Sequence, residues 1–211
     1  MTRAVAIALI IAASYFIGNI SPSTILARRA GHDIKKEGSG NAGTTNALRV
    51  LGKKAALITL AVDVLKGLIP VLAAKLIFAG PMGEKAACGI AAWCGLAVFV
   101  GHIWPVIYGF KGGKGVAASL GVLFALDWRC ALLCLAVFVL TVALTRYVSL
   151  GSILAAASFP VFDFLLSRSF RIPVLIMAAV LIIKHRANIK RLLSGSENKL
   201  SFSKAGGKKD S

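Results

Sequence analysis

Residues 116–144 read VAASLGVLFALDWRCALLCLAVFVLTVAL: two apolar runs, Val116 to Leu126 and Ala131 to Leu144, divided by Asp127-Trp128-Arg129. As one continuous helix these about 29 residues would rise about 43 Å, longer than a hydrocarbon core of about 30 Å. A hairpin, with the charged triplet at its turn, fits the length better. The choice fixes whether the number of crossings is odd or even, and hence whether the two termini share a side.

Working outward, the run from Ala4 to Ile20 has the length of a span. Arg3 before it suggests a signal peptide, but Tyr15-Phe16-Ile17-Gly18-Asn19 offers no clear small-x-small cleavage site and apolar character resumes at Ile25-Leu26, so an uncleaved span is expected. Ala55 to Ala79 is the next, followed by a Gly80-Pro81-Met82-Gly83 turn and a third span from Ala86 to about Val100. Beyond the hairpin, spans are expected over Leu150 to Leu166 and Ile172 to Ile183, the last continuing as helix past the interface. The expected fold class is therefore all-α, an integral membrane bundle of seven transmembrane helices. Residues 1–193 form one transmembrane domain in this reading. Residues 194–211, rich in Gly, Ser and Lys, form a flexible basic tail that touches anionic lipid.

Composition demands the same solvent. Of 211 residues, 57% belong to the set AVILMFWYC and 16% are charged. Counting Gly and dropping Tyr gives about 66% apolar against about 45–50% for soluble domains. Mean hydropathy is +0.80. Too little polar surface remains to cover a water-soluble globule, and disorder is excluded outside the tail. Lys and Arg number 25 against 8 Asp and Glu, a net charge of +17. With seven spans, eighteen of the cations fall on one side and six on the other, placing the N-terminus outside and the C-terminus in the cytoplasm. A single span over 116–144 would put the basic tail on the wrong side.

Scarce carboxylates exclude paired-acid hydrolysis and two-metal chemistry, because no two of the eight form a ligand-like cluster; no metal and no cofactor are expected. Cys88, Cys94, Cys130 and Cys134 lie inside apolar runs without C-x-x-C spacing and read as small apolar filler. Asp63 and Lys66, three residues apart on one helical face inside the second span, are expected to neutralise each other.

Three polar segments map to one face of the membrane. The first, Ser39-Gly40-Asn41-Ala42-Gly43-Thr44-Thr45-Asn46-Ala47-Leu48-Arg49, has glycines that let backbone approach a ligand, hydroxyl donors, and an Arg able to grip two oxygens. Thr44, Thr45 or Asn46 is expected to cap a short helix facing an anion. The second runs from Gly101-His102-Ile103-Trp104-Pro105 to Gly112-Gly113-Lys114-Gly115 and sets a flexible backbone and an ammonium at a helix start. It lacks Walker spacing, and its G-x-G-x-x-A match follows no strand, so a dinucleotide site is not indicated. In the third, His185, Asn188 and Arg191 form one stripe on a helix. His32 reads as structural.

Together these segments resemble the signatures of the bacterial acyl-phosphate:glycerol-3-phosphate acyltransferases. The family's first motif, S-G-N-x-G-x-T-N-x-x-R, is matched from Ser39 to Arg49. Its second, G-H-x-x-P leading to G-G-K-G-V-A, is matched by Gly101, His102, Pro105 and Gly112 to Ala117. Its third, H-R-x-N-I-x-R-L with a later G-x-E, is matched from His185 to Leu192 and by Gly195 and Glu197. The resemblance covers essentially the whole chain. It implies transfer of a fatty acyl group from acyl phosphate to the 1-hydroxyl of glycerol 3-phosphate, giving lysophosphatidic acid and phosphate, at a bacterial cytoplasmic membrane with the site facing the cytoplasm. Ser39, Arg49, Lys114, His185 and Asn188 become the expected catalytic set. Gly40, Asn41, Gly43, Thr45, Asn46, His102, Gly112, Gly113, Gly115, Arg186 and Glu197 become the expected substrate-binding residues. Membrane lipid and a soluble acyl-phosphate-forming acyltransferase are the expected partners, with no nucleic acid. The attacking hydroxyl's proton could pass to His185 or to a substrate phosphate oxygen. The competing reading is a membrane transporter for an anionic phosphorylated metabolite, against which stand the lack of an internal repeat and the placement of the polar motifs at one face. Acyl-CoA enzymes with H-x-x-x-x-D are excluded, since Glu37, Ile107 and Lys190 stand five positions after the three histidines.

Overall fold

A computed structural model describes residues 2–167 and 171–200. Its elements are α1 (Arg3–Gly18), α2 (Pro22–Arg29), α3 (Thr44–Leu51), α4 (Lys53–Met82), α5 (Glu84–Ile103), a 3-10 turn (Val106–Tyr108), α6 (Val116–Leu126), α7 (Trp128–Thr145), α8 (Val148–Ser167), α9 (Ile172–Lys184) and α10 (Arg186–Leu193). Among the described residues there is no strand.

The decisive stretch is two helices, as its length requires. Asp127 ends α6 in an extended conformation and caps α7, its carboxylate accepting from the Arg129 backbone N–H at 2.9 Å and from the Arg129 guanidinium at 3.1 and 2.9 Å. The charged triplet is thus consumed in its own turn. Five stretches are long and apolar enough to cross a membrane: Arg3–Arg29, Lys53–Met82, Glu84–Tyr108, Trp128–Thr145 and Val148–Leu166. A sixth results if α9 and α10, bent by 51°, count as one, and α6 is a shorter apolar helix. The length criterion therefore gives five or six spans where the sequence reading has seven. The difference lies in α6 and α9, which are too short by themselves.

Two local expectations change. Gly80-Pro81 is not a turn: α4 runs through it to Met82 and breaks at Gly83, whose φ of 80° suits glycine alone. The last span does not continue straight, because the chain turns at His185.

The bundle is built inside out relative to a soluble domain. Leu57, Leu76, Ile77, Leu140, Leu144 and Leu165 are exposed around it, while Asp63, Lys66, His102, Asp163 and Asn188 are buried. Val71, Phe99, Ile103, Val122, Phe159 and Met177 belong to one core cluster. Without a hydrophobic drive between helices in lipid, small residues that let backbones approach are the usual device. Here Gly67 of α4 lies against the Ala118 carbonyl of α6, and Gly121 of α6 against the Val64 carbonyl of α4; a Cβ at either position would collide. Gly101 of α5 meets Tyr15 of α1 in the same way. The cysteines are free, and Cys94, Cys130 and Cys134 are buried. Asp163, 1% exposed, accepts from the Arg171 Nε at 2.7 Å and joins the end of α8 to the start of α9.

Residues 194–200, placed in the tail by the sequence reading, fold back onto the bundle, and the Leu200 N–H donates to the Arg146 carbonyl at 2.7 Å. Residues 201–211, with the remaining tail cations, and Arg168 lie outside the described residues.

Candidate active site

All three polar segments open onto one cavity of about 670 Å³. Ser39, Asn41, Gly43, Thr45, Asn46, Arg49, His102, Lys114, Gly115, His185, Asn188 and Glu197 line it. Gly40, Gly112, Gly113 and Arg186 do not. The lining continues away from these groups along Leu123, Leu135, Phe138, Phe159, Met177 and Leu181, so a polar mouth leads into an apolar arm between α6, α7, α8 and α9.

The first segment is positioned by Asn46. From the buried first turn of α3 its Nδ2 donates to the Ile34 and Glu37 carbonyls, both at 3.0 Å, and its Oδ1 accepts from the Ser39 N–H at 2.8 Å. Asn46 therefore braces the loop that carries Ser39. The helix cap expected from Thr44, Thr45 or Asn46 is instead the backbone of Gly43, with no side-chain cap. Thr44 Oγ1 is left buried in the cavity wall without a protein partner, as is Ser119 Oγ from α6.

The second segment hangs from His102. Lys66 Nζ pairs with Asp63 Oδ1 at 2.7 Å and hydrogen-bonds to His102 Nδ1 at 2.8 Å and to the Ile20 carbonyl at 2.5 Å. An ammonium only donates. His102 Nδ1 is therefore an acceptor and the ring proton sits on Nε2. The His102 and Ile103 carbonyls accept from the Gly113 and Gly112 N–H groups, both at 3.1 Å. Gly113 is wedged between His102 Nε2 and the Ala42 carbonyl, where a Cβ would collide. The two glycines are needed for close packing behind Lys114, and their N–H groups are bound to backbone rather than turned to the cavity. The Gly40 and Gly43 N–H groups are likewise spent on the Glu37 and Asn41 carbonyls, both at 3.0 Å.

In the third segment His185 sits at the bend. Its Nδ1 is 2.8 Å from the Leu181 carbonyl, which can only accept, so Nδ1 carries the proton and Nε2 is the ring's acceptor. Lys114 Nζ donates to Asn188 Oδ1, Asn188 Nδ2 donates to Glu197 Oε1 at 2.6 Å, and Arg191 Nε donates to Glu197 Oε2 at 2.7 Å. Burial pushes the Glu197 carboxyl up, but the hydrogen bonds from Asn188 and Arg191 and the Arg191 charge outweigh it and hold it below the usual carboxylate range. Burial, joined by the charges of Arg191, Arg49 and Lys184 and opposed by Glu197, pushes the Lys114 ammonium down to about 8. Among the described residues no group of three or more His, Cys, Asp or Glu side chains is placed to hold a metal ion.

A cationic, amide-rich mouth joined to an apolar arm suits an amphiphile with a phosphorylated head. Comparison with known proteins points the same way: residues 8–195 match the model of the glycerol-3-phosphate acyltransferase family. The chain belongs to that family. The glycerol-3-phosphate acyltransferase of Trichlorobacter lovleyi is 48% identical over 90% of this chain and 95% of its own length. That of Clostridioides difficile is 47% identical over 90% and 94%. The crystal structure of PlsY (YgiH), an integral membrane glycerol 3-phosphate acyltransferase, in its glycerol 3-phosphate form superposes with a TM-score of 0.84 at 36% identity, covering 93% of this chain and 96% of that one. Its lysophosphatidic acid form gives 0.81 with the same identity and coverage. Family membership makes this chain a multi-pass membrane acyltransferase.

Several residues of this acyltransferase site were not legible as site residues. Asp63 reads as half of an ion pair, yet it lines the cavity and is joined to His102 through Lys66. Thr44 occupies a variable position of the first motif pattern, and Ser119, Ser149 and Ser152 lie within apolar helices where nothing in the spacing marks them.

Proposed function

We propose that the enzyme transfers a fatty acyl group from acyl phosphate to the 1-hydroxyl of glycerol 3-phosphate, releasing lysophosphatidic acid and inorganic phosphate at the cytoplasmic face of a bacterial cytoplasmic membrane. The observation that carries this reading is one cavity that joins Arg49, Lys114, His185 and Asn188 to a long apolar arm. The mouth holds phosphorylated groups and the arm holds the acyl chain. Membership of an acyltransferase family favours this over carriage of a phosphorylated metabolite.

In the reaction the hydroxyl oxygen attacks the acyl carbonyl carbon, and the bond from that carbon to the phosphate oxygen breaks with its electron pair leaving on phosphate. Phosphate leaves readily, so the protein contributes positioning and charge stabilisation. Arg49 and Lys114 offset the phosphate charges, and the Ser39, Thr44 and Ser119 hydroxyls donate to their oxygens. The released proton goes to His185 Nε2, the ring's acceptor, or to the departing phosphate. No acyl-enzyme is needed, and Ser39 acts as a donor. Residues 1–193 form the acyltransferase domain in this reading, and residues 194–200 belong to it through Glu197.

Purified protein given palmitoyl phosphate and glycerol 3-phosphate in lipid vesicles should form lysophosphatidic acid and phosphate one for one. Palmitoyl-CoA in place of the acyl phosphate should give none. Glycerol 3-phosphate accumulating inside the vesicles without acylated product would refute the proposal. His185→Asn separates the proton acceptors: a loss of about 10²–10⁴-fold, the range of general base catalysis, assigns the proton to the ring, and a loss under tenfold assigns it to phosphate.

A further inference from the structure

Outside the cavity, two cations converge on one aromatic ring, and a third, Lys111, follows it in the chain with its N–H 3.4 Å from the Tyr108 carbonyl. The Arg28 guanidinium carbon and Lys35 Nζ each lie 5.5 Å from the centre of the Tyr108 ring. Lys35 Nζ also donates to the Tyr108 carbonyl at 3.3 Å. Partial burial, with the charges of Arg28 and Lys111 and against Asp33, pushes the Lys35 ammonium down, so these groups sense each other electrostatically. Nearby carboxylates are committed: Glu37 to His32 at 2.9 Å, and Asp33 to the Lys35 N–H at 3.0 Å and Lys36 at 3.9 Å. Arg28 and Lys35, with Thr24, His32 and the paired Asp33, line a concavity of about 280 Å³. Beside it the chain turns apolar side chains outward, with Ile107 61% and Phe110 59% exposed. Phe110 is held at a φ of 59°, a conformation that costs a non-glycine residue energy, by its N–H bond of 2.9 Å to the Pro105 carbonyl. Excess cations next to outward apolar side chains in a membrane protein match an acidic head above hydrocarbon.

This cluster also spans the two loops that lead to the cavity. Lys35 lies between Ile34 and Glu37, whose carbonyls are tied by Asn46 to Ser39. Tyr108 precedes Gly112 and Gly113, which carry Lys114.

We propose that Arg28 and Lys35, gathered at Tyr108, form with the neighbouring Lys111 and beside exposed Ile107 and Phe110 a headgroup site for an anionic membrane phospholipid. This site is separate from the acyl-transfer cavity, and its occupancy holds together the loops bearing Ser39 and Lys114.

The test uses full-length protein with Trp104 as its only tryptophan, Trp93 and Trp128 being replaced by Phe, in nanodiscs of phosphatidylcholine containing graded phosphatidylglycerol. Brominated phosphatidylglycerol should quench Trp104 saturably and at lower mole fraction than brominated phosphatidylcholine. Each of Arg28→Gln, Lys35→Gln and Lys111→Gln should raise the half-quenching fraction about fivefold, the equivalent of one cation near an acidic surface, and the triple variant should lose the preference. Lys53→Gln/Lys54→Gln/Lys190→Gln, which removes three exposed cations elsewhere, should keep it. Equal loss in that control, or displacement of the lipid by millimolar glycerophosphoglycerol or inorganic phosphate, would overturn the proposal. The acyl-transfer arm rests on the function proposed above: turnover should rise with phosphatidylglycerol at the same half-point and stay at its phosphatidylcholine level in the triple variant. A quench without any rise in turnover would overturn the link to the loops. Absence of acyl transfer in every lipid would instead refute the functional reading and leave the quenching result standing.

Discussion

Lys114 gives the sharpest prediction, because its charge is both central to the cavity and vulnerable to pH. Its ammonium is pushed down to about 8, foremost by burial and then by the cations around it. The group binds phosphate only when charged, so binding is present below that value and lost as pH rises through it. With one unit of pH equal to a tenfold change in ionisation, about nine-tenths of the free enzyme carries the charge at pH 7, about a tenth at pH 9 and about a hundredth at pH 10. Glycerol 3-phosphate is already a dianion across this range, the second phosphate ionisation lying near 6. Since kcat/KM reports the free enzyme, kcat/KM for glycerol 3-phosphate should be level near pH 7 and fall about tenfold per unit above 8. Bound phosphate favours the charged form, so the corresponding limb in kcat should lie at higher pH. The assay is initial-rate phosphate release in vesicles, corrected for spontaneous acyl phosphate hydrolysis at each pH. Lys114→Arg keeps a cation that does not titrate in this range, so its activity should be lower at pH 7 but free of the limb. A level kcat/KM up to pH 10 in the natural enzyme, or a limb still at 8 in Lys114→Arg, would refute the reasoning.

Three further outcomes follow from the supporting contacts. Lys66→Met strands the Asp63 carboxylate and should destabilise the bundle by about 3–5 kcal/mol, read by thermal unfolding in detergent; adding Asp63→Asn should recover much of that loss, and a single variant as stable as the natural protein would count against the network. Gly113→Ala drives a methyl into His102 Nε2 and the Ala42 carbonyl, and overpacking of about 1–3 kcal/mol should displace Lys114 and cut turnover at least tenfold. Gly80→Ala, which meets nothing within 4 Å, should leave turnover unchanged. Glu197→Ala releases both Asn188 and Arg191; with charge-assisted bonds lost at about 1.5–3 kcal/mol each, kcat should fall more than tenfold, whereas equal turnover would reduce Glu197 to a surface group.

How far the sequence carries depends on whether a feature is local. The apolar runs, the turn at Asp127 and the pairing of Asp63 with Lys66 rest on neighbours within a few residues, and the structure realises each of them. The convergence of Arg49, Lys114 and Asn188 on one cavity was legible too, since the expected topology puts their three polar segments on a common face. What escaped depends on long-range geometry. Apolar character runs unbroken to Ile183, so nothing warns that the His185 ring takes the Leu181 carbonyl and turns the chain by 51°. A glycine-rich loop suggests N–H groups offered to phosphate, yet Gly112 and Gly113 give theirs to carbonyls at the end of α5, an arrangement fixed only when that helix end is in place. His102 is expected to bind substrate, and only the fold shows Lys66 donating to its Nδ1. Glu197 sits in a stretch that reads as flexible tail, and only the fold brings it to Asn188.

These contacts imply a division of labour within each motif. Asn46 anchors the loop of Ser39, His102 and Gly113 anchor that of Lys114, and Glu197 anchors Asn188. In the first two cases a neutral or internally balanced group carries the mechanical role, and in the third it is a carboxylate already paired with Arg191. A site that must gather Arg49, Lys114 and Arg191 around phosphate before the ligand arrives is pushed apart by like charge. Positioning it with further cations would aggravate that repulsion, and positioning it with carboxylates in the mouth would compete with the ligand. Braces made of amides, backbone carbonyls and the buried Asp63–Lys66 pair do neither. The single carboxylate held at the rim, Glu197, is occupied by Asn188 and Arg191, so its charge offsets Arg191 and Lys114 without facing a phosphate alone. Substitutions in the braces should therefore lower stability and kcat together, while substitutions of Arg49 or Lys114 should lower activity and, by relieving repulsion, leave the unfolding temperature equal or higher.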